Sequence, residues 1–441
     1  MTQPLSYGEM LRMLSDRFRQ LPDTRTGENS QYTMLDAAMG AFGVFFTQSP
    51  SFLAYQRDMQ RLQGRNNARS LFGVETIPSD AQIRNLLDGV EAQDVGSVLW
   101  DILARLDESG ALTDYAVPVK GGGTAGWLCA LDGTQYFHST EIHCENCTES
   151  VRAGTTHYAH TVLIPVLVSP SQPDVIVLEP EFIQPQDGAE KQDCERNAAR
   201  RWIERHATRL VDHQTTILAD DLHCNQPFCE LLLSRGLNFI MTCKPDSHST
   251  LYEEVARLAH VPDGVMQVQD RFWTGRDHEV WSYRFASYLP LRAGGKALQV
   301  NWCELTITRE TTGKILYHNA FATNLPLSQS TLRPTAAAGR ARWKIENEGN
   351  NVLKNHGYHL EHNYGHGQHH LSAVLVMLNL LAFLFHTVLQ RLDDTYQRLR
   401  RELATRRTFF NDISALTRYL FFDSWEALLA FMLAQLKPAP D

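Results

Sequence analysis

The segment RARWKIENEGNNVLKNHGYHLEHNYGHG, residues 340–367, places one acid, Glu346, among basic and aromatic side chains. Its apolar positions fit a helix only loosely. Two earlier acids follow short apolar runs, because Asp132 comes directly after WLCAL and Asp220 directly after ILA. Two strand-end aspartates and one helical glutamate supply the hard oxygen ligands that a pair of divalent cations prefers. The sequence therefore predicts a carboxylate triad of Asp132, Asp220 and Glu346.

The order of elements in the middle of the chain indicates the fold class. The patterns are a strand ending at Asp132, strands at 161–168 and 175–178, a helix at 193–210, a strand at 215–219, a helix at 228–234, a strand at 238–243 and a helix at 250–259. This β-β-β-α-β-α-β-α order predicts an α/β fold with a ribonuclease-H-like core. In such a core the first and fourth strands are neighbours, which would bring Asp132 and Asp220 together.

The core is predicted to be split by an insertion. Residues 279–287, 298–309 and 315–323 alternate apolar and polar side chains, which predicts a β-rich insertion at residues 261–332. The core would then occupy residues 125–260 and 333–390, and residues 391–441 would form a helical tail. The apolar run at 371–389 could span a membrane, but Asn379 and His386 within it and its marginal length favour a buried helix.

The first 120 residues have helical periodicity and predict a separate helical domain. Within it, Pro78-Ser79-Asp80 marks the start of a helix. This domain could read DNA or serve as a helical scaffold, and the sequence leaves both interpretations open. A GGG linker at residues 121–123 would join it to the core.

Composition sets the class of protein and its compartment. A chain of 441 residues with 43% hydrophobic content can bury a large core. The polar N-terminus predicts a cytoplasmic protein, and eight scattered cysteines predict free thiols. The formal net charge of -9 argues mildly against a nucleic-acid partner, although binding depends on local clusters. Such a cluster surrounds Glu346, and its members are Arg333, Arg340, Arg342, Lys344 and Lys354.

Three stretches together resemble a known family. They are LDGTQYF (131–137), ILADDLH (217–223) and RWKIENEGNNVLKNHGYHLEHNYGHG (342–367). They are similar to the DD(E) transposases of bacterial insertion sequences, in the group with a β-insertion before the catalytic glutamate. Arg342 and Glu346 match the Arg-x-x-x-Glu signature of that group. Two positions depart from it, since Gly339 stands where a Tyr is expected and Lys354 lies one residue beyond the usual Lys.

The resemblance implies a metal-dependent enzyme that acts on DNA. Such a transposase binds the terminal inverted repeats of its element, cleaves phosphodiester bonds and transfers the 3′ ends to target DNA. Two Mg2+ or Mn2+ ions would be held by the triad, and the DNA by Arg342, Lys344 and Lys354. The expected partner is DNA, bound by a dimer at the nucleoid, with no membrane and no small-molecule cofactor. The alternatives are an inactive relative that regulates by binding DNA, and a metal-dependent nuclease without strand transfer.

Other residues suggest further sites. Cys144 and Cys147 form a CxxC pair near His143, His157 and His160, which predicts either a zinc site or a reduced turn.

Six histidines follow Glu346, namely His356, His359, His362, His366, His369 and His370. Because Glu361 is the one thiolate or carboxylate at ligand spacing, we expect them to contact phosphate or to pack rather than to form a metal cage. Trp273, Trp281 and Trp302 would stack on an unpaired base or belong to the core.

Overall fold

A nine-stranded mixed sheet and a smaller four-stranded sheet, together with many helices, form the α/β fold of the chain. The structure is a computed structural model that describes residues 5–23, 25, 31–60, 66–119, 125–185, 194–403 and 405–436. The predicted GGG linker at 121–123 lies outside the described residues. The predicted α/β class is confirmed.

The N-terminal part is helical, as predicted. Its helices are α1 (Tyr7–Phe18), α2 (Met34–Phe46), α3 (Phe52–Met59), α4 (Asn67–Phe72), α5 (Asp80–Leu87) and α6 (Ala92–Glu108). Ser79 accepts from the backbone N–H of Gln82 and so caps α5, which confirms the predicted helix start.

The middle of the chain supplies both sheets. Its elements are β1 (Leu128–Ala130), β2 (Gly133–Ser139), β3 (Thr148–Arg152), β4 (Thr155–Leu163), β5 (Val166–Val168), β6 (Ile176–Val177), β7 (Glu181–Ile183), α7 (Glu195–Leu210), β8 (Thr216–Ala219), α8 (Gln226–Ser234), β9 (Asn238–Thr242) and α9 (Ser249–Leu258). In the large sheet the order is β6-β5-β1-β8-β9. β1 pairs in parallel with β8, as predicted, and antiparallel with β5.

One predicted strand is in fact two. The run 161–168 contains the end of β4, which lies in the small sheet, and all of β5, which lies in the large sheet. The break falls at Pro165, which has no N–H with which to continue a ladder. The other three strands of the small sheet, β2, β3 and β7, each pair with β4 and were not predicted. β3 is mostly exposed and gives no buried face to detect.

The predicted β-rich insertion continues the large sheet. Its strands are β10 (Met266–Trp273), β11 (His278–Pro290), β12 (Gln299–Arg309) and β13 (Ile315–Thr323). They pair in sequence order, and β13 then pairs antiparallel with β9. The insertion therefore lies in the same sheet as β1 and β8, the strands that end just before Asp132 and Asp220.

The last part of the chain is helical again. It contains α10 (Leu332–Ala341), a π-helix (Ile345–Asn350), α11 (Asn351–Asn355), α12 (Leu371–Leu392), α13 (Asp394–Glu402), α14 (Arg406–Tyr419) and α15 (Trp425–Gln435).

α12 is long and apolar enough to cross a membrane, with a mean hydropathy of 2.1 over its most apolar window. However, 94% of that window is buried inside the protein, as in the core helix of a soluble protein. The ring of Phe385 packs against Phe42 of α2 with 5.0 Å between centroids, so the N-terminal helices share this core. The predicted buried helix is confirmed.

Candidate metal-dependent active site

Asp132 and Asp220 emerge at the same edge of the large sheet. Ala130 of β1 lies opposite Leu218 of β8, and continuing this parallel register by two residues brings Asp132 opposite Asp220. The backbone pairing does continue, because the N–H of Leu131 donates to the carbonyl of Leu218 over 2.9 Å. Since both strands run in the same direction, Asp132 and Asp220 follow them at the same edge of the sheet.

The π-helix brings the third predicted acid toward this edge. Asn350, at its end, donates from Nδ2 to Oδ2 of Asp132 over 2.8 Å and so ties the helix to β1. Glu346 lies four residues earlier and pairs with Arg342, with 2.6 Å between Nη2 and Oε1. π-helical turns are rare in proteins, and those that do occur are often found at functional sites. The loose helical pattern read from the sequence corresponds to this π-helix.

The negative charges of several acids act on Asp132. Burial is the largest cause that raises the pKa of Asp132, to about 7, and the carboxylate of Glu195 is the next. Glu346 and Asp220 raise this pKa further, while the guanidinium of Arg342 lowers it. The carboxylates are therefore close enough to oppose one another's ionisation.

Glu195 is a fourth acid that the sequence analysis missed. It begins α7 and packs on the start of β2, since a Cβ added to Gly133 would lie 2.5 Å from its Oε2. Burial raises the pKa of Glu195, nearby His223 lowers it and Asp220 raises it. An acid in the first turn of a helix is usually interpreted as stabilising that end of the helix, so Glu195 was not identified as a site residue. Its position in the helix between the two aspartate-bearing strands was the available signal.

His223 holds Asp220. Its Nδ1 lies 3.1 Å from Oδ1 of Asp220, and its Nε2 lies 3.9 Å from Oε1 of Glu195. Burial alone would raise the pKa of Asp220, but hydrogen bonds from His223 and from the N–H of Leu222 bring it below its ordinary value. Asp220 is thus held ionised beside Asp132, whose proton is retained to near neutral pH.

The carboxylates converge without closing on a common point. In the part of the chain that the structure describes, Asp132, Asp220 and Glu346 do not have ligand atoms all within 4.8 Å of one another. The side chain of Glu346 is 52% exposed and is drawn toward Arg342.

The three predicted DNA contacts are placed differently. Arg342 and Lys354 are both paired with acids, Lys354 with Glu361 at 2.7 Å. The prediction for Lys344 is corrected, because its side chain is buried and its Nζ donates to three backbone carbonyls. Those carbonyls belong to Ser169, Pro170 and Gln172, so Lys344 fastens the loop after β5 to the π-helix.

Gly339 is explained by packing. A Cβ at this position would lie 2.8 Å from the ring of Phe321 on β13, so the chain has no room there for the Tyr of the resembled family. Phe321 occupies that space, and α10 lies close against the sheet as a result.

Glu348 points to another face of the π-helix. It lines a cavity together with Asp174, Arg400 and Arg406. Because residues two apart on a helix point to different faces, Glu346 and Glu348 do not share one side of the π-helix.

The predicted CxxC pair does meet histidines. Cys144, Cys147, His160 and His366 bring one ligand atom each within 4.8 Å of one another. His143 and His157 do not belong to this Cys/His cluster, since His143 stacks on Tyr158 and His157 contacts His138.

A second group, also a possible metal site, consists of Cys224, Cys243 and His248. All eight cysteines are free thiols, as predicted.

The tryptophans divide between surface and core. Trp302 is fully buried, so it does not stack on a base. Trp281 lies under the guanidinium of Arg340, with 5.3 Å to the ring centroid. Trp273 is 61% exposed at the end of β10 and can contact a partner.

A scan of the chain against models of protein families and a search of curated proteins both found no match. The functional argument therefore rests on the site itself. Its chemistry is that of several oxygen ligands at one sheet edge, with Arg342 paired to one acid and His223 to another.

Proposed function

We propose that the chain is a DD(E) transposase, which cleaves phosphodiester bonds at the ends of its element and joins the 3′ ends to target DNA. The observation that carries the proposal is that Asp132 and Asp220 follow the ends of two neighbouring parallel strands, while Asn350 of the π-helix that contains Glu346 donates a hydrogen bond to Asp132. The strand order β6-β5-β1-β8-β9, with β5 antiparallel to β1, supports a ribonuclease-H-like core.

The donor set fits hard divalent cations. Four carboxylates lie at one partly buried edge without closing on a common point, and Arg342 is paired with one of them. Such a surplus of oxygen ligands suits Mg2+ or Mn2+, and Asp132, Asp220 and Glu346 would hold two ions. When bound, the ions activate the attacking oxygen and stabilise the leaving oxygen of the phosphodiester.

The chain's own side chains position these ligands. Asn350 orients the Asp132 carboxylate and His223 orients that of Asp220. Arg342 restrains Glu346 and places a guanidinium, which binds phosphate well, beside the acids. Lys354, eight residues after Glu346, carries a second positive charge on the same segment.

The proposed partner is DNA, with two element ends held together. Joining both ends to one target requires at least two active sites, so we propose a dimer on DNA. The intact set of acids supports an active enzyme over a regulator that only binds DNA.

The test is a cleavage assay on duplexes that carry the sequences flanking the gene. We expect cleavage and joining to a target plasmid in Mg2+, and loss of both when EDTA is added. Asp220→Asn should lower the cleavage rate by about 10³-fold or more, because a neutral amide is a poor metal ligand. Asp212→Asn changes an exposed acid that precedes β8, whereas Asp220 follows the other end of that strand, so it is the matched control and should retain the rate.

Several results would count against the proposal. Cleavage that persists in EDTA, or in Asp220→Asn, would contradict metal chemistry at this edge. Cleavage without joining would indicate a nuclease, and binding without cleavage would indicate a regulator. The mass of the protein–DNA complex gives the number of copies, and one copy per pair of ends would exclude the dimer.

A further inference from the structure

The Cys/His cluster joins two distant parts of the chain. Cys144 and Cys147 lie in the turn before β3, His160 lies on β4, and His366 lies in the irregular segment between α11 and α12. Cys147 and His366 are 219 positions apart, yet their Sγ and Nε2 atoms are separated by 3.5 Å.

The distances match a tetrahedral metal site. A zinc ion with thiolate and imidazole ligands separates two sulfurs by about 3.8 Å, sulfur and nitrogen by about 3.5 Å and two nitrogens by about 3.3 Å. The Cys144 and Cys147 sulfurs are 4.0 Å apart, and the two Nε2 atoms of His160 and His366 are 3.1 Å apart. Three of the four sulfur–nitrogen distances, from Cys144 to His160 and from Cys147 to His160 and His366, are 3.5 to 3.6 Å.

The surroundings also suit a metal site. Nδ1 of His366 lies 3.1 Å from the carbonyl oxygen of Gly367, and donation to that oxygen leaves Nε2 free to bind a metal. Cys147, His160 and His366 are buried, and the ring of Phe137 packs on that of His366 at 4.4 Å. A buried set of four protein ligands with no open position is typical of a structural site.

We infer that Cys144, Cys147, His160 and His366 bind one zinc ion. Thiolate and imidazole ligands in a tetrahedral arrangement select zinc over the hard cations that suit the carboxylates. The site is distinct from the proposed catalytic edge, and it does not depend on the proposed function.

The zinc ion would connect the strands that follow Asp132 to the segment that follows the π-helix of Glu346. β2 begins directly after Asp132, and β2 pairs with β4, which carries His160. The segment with His366 follows α11 and the π-helix of Glu346.

Polar contacts beside the cluster fasten the same segment. Asn146 donates to the carbonyl of His369 over 2.6 Å, and Asp88 accepts from four successive backbone N–H groups, those of Gln368, His369, His370 and Leu371. The metal would thus complete an anchor built from several elements.

The test is the zinc content of the full chain, purified without chelator and measured by mass spectrometry of the metal. We expect about one zinc ion per chain in the wild type, and a loss of at least about tenfold in Cys147→Ser and in His366→Ala. Cys194→Ser and His143→Ala change exposed residues outside the cluster and should retain the zinc.

Cobalt substitution of the wild type tests the ligands even if a variant fails to fold. Protein stripped of zinc and loaded with Co2+ should show the visible absorption of a tetrahedral ion and sulfur-to-cobalt charge transfer. Wild-type protein without stoichiometric zinc and without this cobalt spectrum would overturn the inference. Full zinc content in folded Cys147→Ser and His366→Ala would also overturn it.

Discussion

The carboxylate edge, which comprises Asp132, Glu195, Asp220 and Glu346, and the Cys/His cluster share two regions of the chain, the strands from β1 to β4 and the segment from the π-helix to α12. The carboxylate edge also uses α7 and the end of β8, and the two sites are organised in opposite ways. At the carboxylate edge Arg342, Asn350 and His223 each hold one acid, and the acids stay apart. In the cluster the ligand atoms already contact one another and are mostly buried. An open, charged arrangement can admit a substrate, whereas a closed one can only hold the fold.

The largest effect that we predict is the loss of DNA cleavage when an acid of the π-helix is changed. Glu346→Gln should bind end DNA but lose cleavage by several orders of magnitude, because an amide is a poor ligand for a metal ion. Glu348→Gln is the matched control, and its side chain lines a cavity with Arg400 and Arg406 away from the aspartates. It should lose much less activity.

Parallel binding and cleavage assays on the two variants decide the point. An active Glu346→Gln beside an inactive Glu348→Gln would move the third ligand to Glu348. The carboxylate edge would then need a different helical register from the one in the structure.

A second effect concerns stability, which the two sites should influence with opposite signs. The pKa of Asp132 is raised to about 7, first by burial and then by Glu195, so its ionised form opposes folding. The contribution of Asp132 to the free energy of unfolding therefore decreases as the pH rises from about 4 through about 7. Asp132→Asn should raise the free energy of unfolding by about 1–2 kcal/mol near pH 8, and by less as the pH falls toward 4.

Urea unfolding in buffer without Mg2+ measures this gain, with Asp212→Asn as the unaffected control. Cys147→Ser in the zinc-loaded protein should instead lower the free energy of unfolding by about 3 kcal/mol or more, because metal binding is coupled to folding. If Asp132→Asn also destabilised the protein, the acid would be a structural group and the contrast between the sites would fail.

The sequence predicts a site residue where a local pattern marks it, and fails where its partners are distant in sequence. Asp132 and Asp220 each end an apolar run, and a local pattern is enough to find a strand end. The partners of those acids are different, because Asn350 reaches Asp132 across 218 positions with no periodicity to announce it. The histidine segment was predicted not to form a metal cage for the same reason. The sulfur of Cys147, which lies close to His366, comes 219 positions earlier in the chain.

Burial of a charged group is equally hard to foresee. Lys344 belongs to a basic cluster in the sequence, but three carbonyls of a loop more than 170 positions away satisfy its ammonium. The split of residues 161–168 between two sheets was also hidden, because both halves have the same apolar character.

The smallest predicted effect separates two lysines on this segment. Lys344→Met should lower the free energy of unfolding by about 1–3 kcal/mol, since it leaves the carbonyls of Ser169 and Gln172 without their donor, and should leave DNA affinity nearly unchanged. Lys354→Met should keep stability within about 0.5 kcal/mol, because a partly exposed ion pair contributes little, and should weaken DNA binding severalfold. The slope of log DNA affinity against log salt concentration should become shallower in Lys354→Met by about the amount expected for one lost phosphate contact. Urea unfolding and DNA titrations at several salt concentrations on both variants measure the two quantities. If Lys344→Met were the variant that lost DNA affinity while remaining folded, its ammonium would have to leave the loop carbonyls when DNA binds, and the carboxylate edge would be flanked by a moving lysine instead of a fixed one.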